Sequence, residues 1–278
     1  MAFWPTWFSS RRSRWLNRGR LPKAALDAVN ALGQDNLKFC PFLRQAEDAD
    51  DRRLRQLVVA FLERKEFTGT QGLVVTDAMA IAIASQACLP LLHLATDSAG
   101  SADRALDWYD DFVTIVLHPG DMLARRVVQD PMGVMHAYLE PLQGEAMEGG
   151  PVTLSWQTVA EAGQDMPAGA NLVIHEFAHK LDMRNGVANG CPPMRSIDQK
   201  QWMQVMTTAF ERFGEAVIRA ERFGEPVPWL DRYAATSPAE FFAVACEAYF
   251  VNPARFKQEH PDVAKLFNRF FNPGDQAK

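Results

Sequence analysis

The amino-acid sequence predicts a helix-rich α+β fold with a small mixed β-sheet. Three observations point there. Apolar residues recur at helical spacing over much of the chain, as at Leu54, Leu57, Val58 and Phe61. Only a few short stretches are β-branched and apolar, the clearest being Phe-Val-Thr-Ile-Val-Leu over residues 112–117. No Gly-, Pro- or Ser-rich linker divides the 278 residues, a length that one hydrophobic core still supports. The expected organisation is a basic, aromatic N-terminal tail over residues 1–20, then a single domain over residues 21–278.

The tail holds Trp4, Trp7 and Trp15 among five arginines. It reads as a frayed terminus, with contact to an anionic membrane or partner as the alternative. Residues 23–32 form a short helix closed by Gly33, and residues 49–63 a longer one. Residues 67–72, with two glycines, read as a loop. Asp77 is the expected N-cap of an alanine-rich helix over 78–94, apolar on nearly every side and so buried beneath the sheet. Residues 112–117 are a central strand ending at His118-Pro119-Gly120, and residues 134–140 a second strand. After a turn over 144–151, Val152-Thr-Leu-Ser-Trp156 alternates like a strand with one wet face. Asn171 and Asn185-Gly186 bound a further helix. A long helix follows over 198–220, and Ser237 with Pro238 caps another that carries residues 239–249. Residues 261–271 close the chain as a last helix.

A formal net charge of −5 argues against a nucleic-acid-binding surface. Cys40, Cys88, Cys191 and Cys246 form no C-x-x-C pair, so they read as reduced thiols of a cytosolic protein. The N-terminus places apolar residues before its arginines, the reverse of a signal peptide. No apolar run reaches the roughly 18 residues of a membrane span. A cytoplasmic protein without a membrane span is expected.

The chemistry is concentrated in His175-Glu176-Phe-Ala-His179. Two histidines four residues apart share one helix face and can each give a nitrogen to one Zn²⁺ at about 2.0–2.1 Å. Glu176 lies about 100° further round, beside a metal rather than on it, where it can take a proton from an activated water. A chain of this composition meets the pattern by chance on the order of one time in a hundred. The bland alternative, an amphipathic helix with two histidines in solvent or core, gives no reason for Glu at that one position. Catalytic zinc takes three protein ligands and keeps a fourth position open. Asp182, Asp231, Glu240 and Glu247 are the candidates for the third. Asp182 shares the face of His175, but its short side chain reaches a histidine more readily than the metal. Glu240 sits in the first turn of its helix, where the dipole favours a carboxylate. Glu247, seven residues on, either bonds the histidine ligands or lies on a solvated surface.

The segment His175-Glu-Phe-Ala-His179-Lys-Leu-Asp182-Met-Arg-Asn-Gly186 resembles the active-site helix of the Mlc titration factor A family of bacterial zinc metallopeptidases. Phe67-Thr-Gly69, Gln86-Ala-Cys88-Leu-Pro-Leu-Leu and Asp231-Arg-Tyr233-Ala-Ala-Thr-Ser-Pro-Ala-Glu240-Phe-Phe-Ala are further matches. The similarity runs from about Arg20 to about Asn272. The resemblance implies a zincin-like metallopeptidase domain with one Zn²⁺ on His175, His179 and Glu240. It implies Glu176 as general base, and Tyr233 donating its hydroxyl to the oxyanion of the tetrahedral intermediate. It further implies a peptide substrate, aminopeptidase character, and an edge strand beside the metal helix that pairs with an extended substrate. By position, residues 151–156 would be that edge. A second function class comes with it: a binding protein that sequesters the transcriptional repressor Mlc and so relieves control of the glucose phosphotransferase system. The two differ in where substitutions matter, the metal face or another surface. A purely structural zinc would close its fourth position and leave Glu176 without use. His93, His118, His136 and His260 lack a partner at ligand spacing and are expected to be structural.

Overall fold

A computed structural model of the protein describes residues 48–94, 102–129, 135–161, 169–194 and 196–273. The expected tail over residues 1–20 and the helix over 23–32 lie outside them. The first described element is α1 (Asp48–Arg64), which buries Leu54, Leu57, Val58 and Phe61 as their spacing predicts. Residues 67–72 are not all loop. Glu66–Gly69 form a strand, β1, parallel to β2 (Thr114–His118) in the register Glu66↔Thr114 to Gly69↔Leu117. Phe67 and Thr68 favour a strand while Glu66 and Gly69 do not, so a run this short becomes a strand only through its pairing with β2.

Helix α2 spans Asp77–Cys88 and is capped by Thr76 rather than Asp77, the Thr76 hydroxyl accepting the Met79 N–H at 3.3 Å. It stops short of residue 94. Pro90 has no N–H to continue the helix, and Leu89–Leu91 tighten into a 3₁₀ turn. Every residue from Met79 to Cys88 is buried, and α2 packs against α1 and the helix α5 described below. A short helix α3 (Ala102–Ala105) leads into a 3₁₀ turn, Leu106–Tyr109.

The main sheet has the order β1-β2-β6-β5, with β5 at Gly144–Ala146 and β6 at Val152–Ser155. β2 is interior, as its sequence predicts, and parallel to both neighbours. The expectation for residues 151–156 is overturned here. β6 is not an edge: β2 lies on one side of it and β5, antiparallel, on the other. The burial pattern agrees, since Leu154 and Ser155 are both buried and the alternation of a half-wet strand is broken. The edge beside the helices is β5. The strand expected over 134–140 exists as β4 (Met135–Leu142), in a separate antiparallel ribbon with β3 (Met122–Gln129).

Helix α4 (Trp156–Glu161) follows the sheet, and then α5 (Leu172–Asp182), which packs against α2, β5, β6 and α7 (Pro238–Val251). The long α6 (Ser196–Phe223) precedes α7, and α8 (Pro253–Glu259) and α9 (Pro261–Phe271) close the described chain. The core meets α5 through Phe177, whose ring lies 5.0 to 5.9 Å from those of Phe61, Tyr109 and Phe112. A second aromatic group, Trp202 with Phe242 and Phe267, ties α6 to α7 and α9 at centroid distances of 5.9 and 5.6 Å. Burying one such ring is worth about 1.5–3 kcal/mol, so these contacts fix how α5 and α7 face each other. Among the described residues no helix is long and apolar enough to cross a membrane.

Candidate metal centre

Helix α5 starts where the sequence says. The Asn171 side chain accepts the Ile174 N–H at 2.9 Å, and Val173, Ile174, Phe177, Ala178 and Leu181 are all buried. It ends in a 3₁₀ turn at Met183–Asn185, and Gly186 takes a left-handed φ of 88°. The opposite face carries His175 and His179, their ring centroids 4.8 Å apart. Helix α7 brings Glu240 to them. Ser237 caps it through the Glu240 N–H at 3.2 Å, which holds Glu240 in the first turn.

The three donor atoms form a nearly equilateral triangle. His175 Nε2 and His179 Nε2 are 3.2 Å apart, and they lie 3.1 and 3.2 Å from Glu240 Oε2. Ligands bound tetrahedrally at about 2.0–2.1 Å stand roughly 3.3 Å from one another, so the triangle has the size a zinc site requires. Three lone-pair donors converging this closely repel unless a cation or shared protons lie between them. The donor set, two imidazole nitrogens and one carboxylate oxygen, suits Zn²⁺ and other borderline transition metals. Among the described residues this is the group of His, Cys, Asp or Glu side chains arranged to hold a metal ion.

The electrostatics tie the same side chains to one another. Burial alone would raise the Glu240 carboxyl, yet its bonds to His175 and His179 hold it at about 2. Burial alone would lower His175, yet its bonds to Glu240 and Glu247 keep it well above the ordinary imidazole value. Glu176 behaves differently. It is 4% exposed, and burial pushes its carboxyl up to about 7 against the lowering effect of the two histidines. The face that Glu176 occupies turns toward β5, where Gly144 lies against it.

A family model for the glucose-regulated metallo-peptidases M90 matches residues 7–272. The chain belongs to that family. It is also similar to the Mlc titration factor A of Yersinia pestis (strain Pestoides F) and of Yersinia pseudotuberculosis serotype O:1b (strain IP 31758). With each it is 30% identical over 271 residues, covering 95% of this chain and 92% of the relative.

For this M90 metallopeptidase the structure places the remaining sequence candidates. Glu247 is no solvated residue. Its Oε1 bonds His175 Nδ1 at 2.7 Å and its other oxygen accepts the Asn171 N–H, so it sets which His175 nitrogen faces the triangle. Behind it, Asn171 Nδ2 donates to Gln86 Oε1 at 2.7 Å, linking α2 into the same buried network. Asp182 is fully buried, and its hydrogen bonds go to the loop after α5. It accepts the N–H groups of Gly190 and Cys191 at 2.7 and 2.8 Å, and so folds the loop after α5 back on itself. That loop meets α7: a side chain on Gly190, whose φ is +77°, would strike the Pro238 carbonyl oxygen at 2.5 Å. Asp231 caps the 3₁₀ turn Arg232–Ala235 through the Tyr233 N–H at 2.8 Å and is no ligand. Tyr233 stands half exposed beside the centre, its ring 6.1 Å from that of His175.

Sequence reasoning missed Gly144. Its φ is not left-handed, so its backbone suits any residue, yet a Cβ there would come within 2.5 Å of Glu176 Oε1. The glycine is needed for room. No pattern local to Gly144 announces this, because its partner lies 32 residues away on another element. Of the other histidines, His118 bonds the Thr70 hydroxyl at 2.7 Å, His93 pairs with Asp50 at 3.4 Å, and His260 packs on Phe241 and Phe256. His136 has no described side chain. Cys88, Cys191 and Cys246 are buried free thiols.

Proposed function

We propose that the protein is a cytoplasmic zinc metallopeptidase with aminopeptidase-like specificity, whose residues 21–278 form one catalytic domain. The triangle of His175, His179 and Glu240 with Glu176 buried beside it is the observation that carries this reading. A zinc ion held there would polarise the scissile carbonyl and lower the pKa of water toward about 7. Glu176 would take a proton from a water activated there and return it to the leaving amine, a task that suits a carboxyl raised by burial. Glu247 keeps His175 Nε2 aimed at the triangle. Tyr233, beside His175, is assigned to the oxyanion.

The edge strand supports a peptide substrate. Ser155 N–H bonds the Gln143 carbonyl at 2.7 Å and Met147 N–H bonds that of Pro151 at 3.3 Å, so 143/155 and 147/151 are hydrogen-bonded pairs of the β5–β6 ladder. The alternation of an antiparallel ladder then turns the N–H and C=O of Gly144 and Ala146 away from β6, toward the open edge. An extended peptide can pair with them directly beside Glu176.

The test is metal analysis joined to a peptide-hydrolysis assay. Purified protein should carry one zinc per chain and cleave peptides, lose both to a chelator, and regain both with added Zn²⁺. Hydrolysis that survives complete metal removal would refute the reading. The relatives' name supports a second role, the binding of Mlc. Such binding would use a surface away from the metal face, so His175→Ala should abolish hydrolysis and leave repressor binding intact in a pull-down.

A further inference from the structure

Lys180, one helical turn beyond Glu176 on α5, is completely buried. A lysine ammonium is costly to bury unless paired and hydrogen-bonded. Lys180 is both. Asp111 is its ion-pair partner, and its Nζ donates to the carbonyl oxygens of Met147 and Gly150 at 2.9 and 3.4 Å. Those carbonyls belong to the tight turn that joins β5 to β6, closed by the Gly150 N–H on the Met147 carbonyl at 3.1 Å. The edge hairpin thus lies along α5 with two points of attachment. Glu176 meets its start at Gly144, and Lys180 grips its turn. An apolar residue of the same length would fill the space without holding the turn.

We propose that Lys180, anchored by Asp111, is a positioning residue that fixes the edge hairpin on the metal helix, so that an extended peptide is held in register with Glu176 and the metal centre. The proposal rests on the peptidase reading above. It makes a demand that a merely stabilising role would not: the effect of losing the grip must grow with substrate length. A single-residue 4-nitroanilide reaches the metal and Glu176 but gains little from the strand, whereas an octapeptide depends on it.

The experiment compares both substrates on the zinc-loaded full chain, with zinc content measured for each preparation. Lys180→Met should raise the KM for the octapeptide about tenfold and change kcat/KM for the anilide by less than about twofold, the pattern of lost binding away from the reacting centre. Asp111→Asn, at a partly exposed position, keeps the lysine but removes its counter-charge and should shift the ratio in the same direction; it carries the test if Lys180→Met loses zinc or fails to fold. Equal losses on both substrates, or no loss on either, would overturn the proposal while leaving the peptidase reading in place. A wild type that cleaves neither substrate would overturn both.

Discussion

Glu247 decides which way the His175 ring points, because its carboxylate occupies His175 Nδ1 and leaves Nε2 for the triangle. Glu247→Ala should therefore weaken zinc affinity by about 10–100-fold without abolishing binding. Competition with a chelating dye measures this, and an unchanged affinity would remove Glu247 from the site. Tyr233→Phe deletes one hydroxyl and keeps a ring that is already half exposed, so folding and zinc content should stay as they are. If the hydroxyl serves the oxyanion, kcat should fall by about 10²–10³ with KM nearly constant. A normal kcat would make Tyr233 a packing residue. At this scale the sequence was partly legible. His175, Glu176 and His179 could be placed because helix geometry alone relates positions four apart. Glu240 could not be separated from Asp182, Asp231 and Glu247 by spacing, since the choice depends on how α7 faces α5. Gly144 and Lys180 were hidden for the same reason: each meets its partner only where the β5–β6 hairpin lies along α5.

Among the elements, the loop after α5 couples the two helices that carry the triangle. Asp182 holds its Gly190 and Cys191 amides, Trp202 Nε1 donates to the Gly190 carbonyl at 2.7 Å, and Gly190 lies against the start of α7. Gly190→Ala puts a side chain on a left-handed backbone and into the Pro238 carbonyl. It should destabilise the protein by about 1–3 kcal/mol and loosen zinc by moving the turn that carries Glu240. Urea unfolding and zinc titration check both halves; wild-type values in both would show that the loop does not position α7. Helices were the legible elements. Their caps at Asn171 and Ser237 are local, and Pro261–Phe271 ends where its pattern ends. The sheet was read less well. A three-residue edge strand is too short to announce itself, and once β5 covers β6 the apparent edge at residues 151–156 becomes interior.

For the molecule as a whole, buried titratable groups set the response to alkali. Burial raises the Cys88 and Cys246 thiols above 9.0 and the Tyr109 phenol above 10.0. The unfolded chain releases these protons first, so stability falls as pH rises past those values. Lys65 and Lys180 act oppositely: burial lowers both, Lys65 from 10.5 to about 8, a cost relieved as pH rises toward 10.5. Above about pH 10.5 the lysines gain no more while the acids still lose, so the urea midpoint of the metal-free protein should be lower at about pH 11.5 than at about pH 10.5. A higher midpoint at the alkaline end would contradict this. The fold class, the helix-rich composition and the family were all readable from the chain, because they rest on periodicity and on short motifs, above all those around His175 and from Tyr233 to Glu240. The central claim is that a metal held by His175, His179 and Glu240 works with Glu176 as its base. Zinc content and peptide hydrolysis, measured on one preparation of Glu176→Gln, test it most directly. The variant should retain one zinc per chain and lose hydrolysis; a zinc-free variant, or one that cleaves at the wild-type rate, would contradict the account.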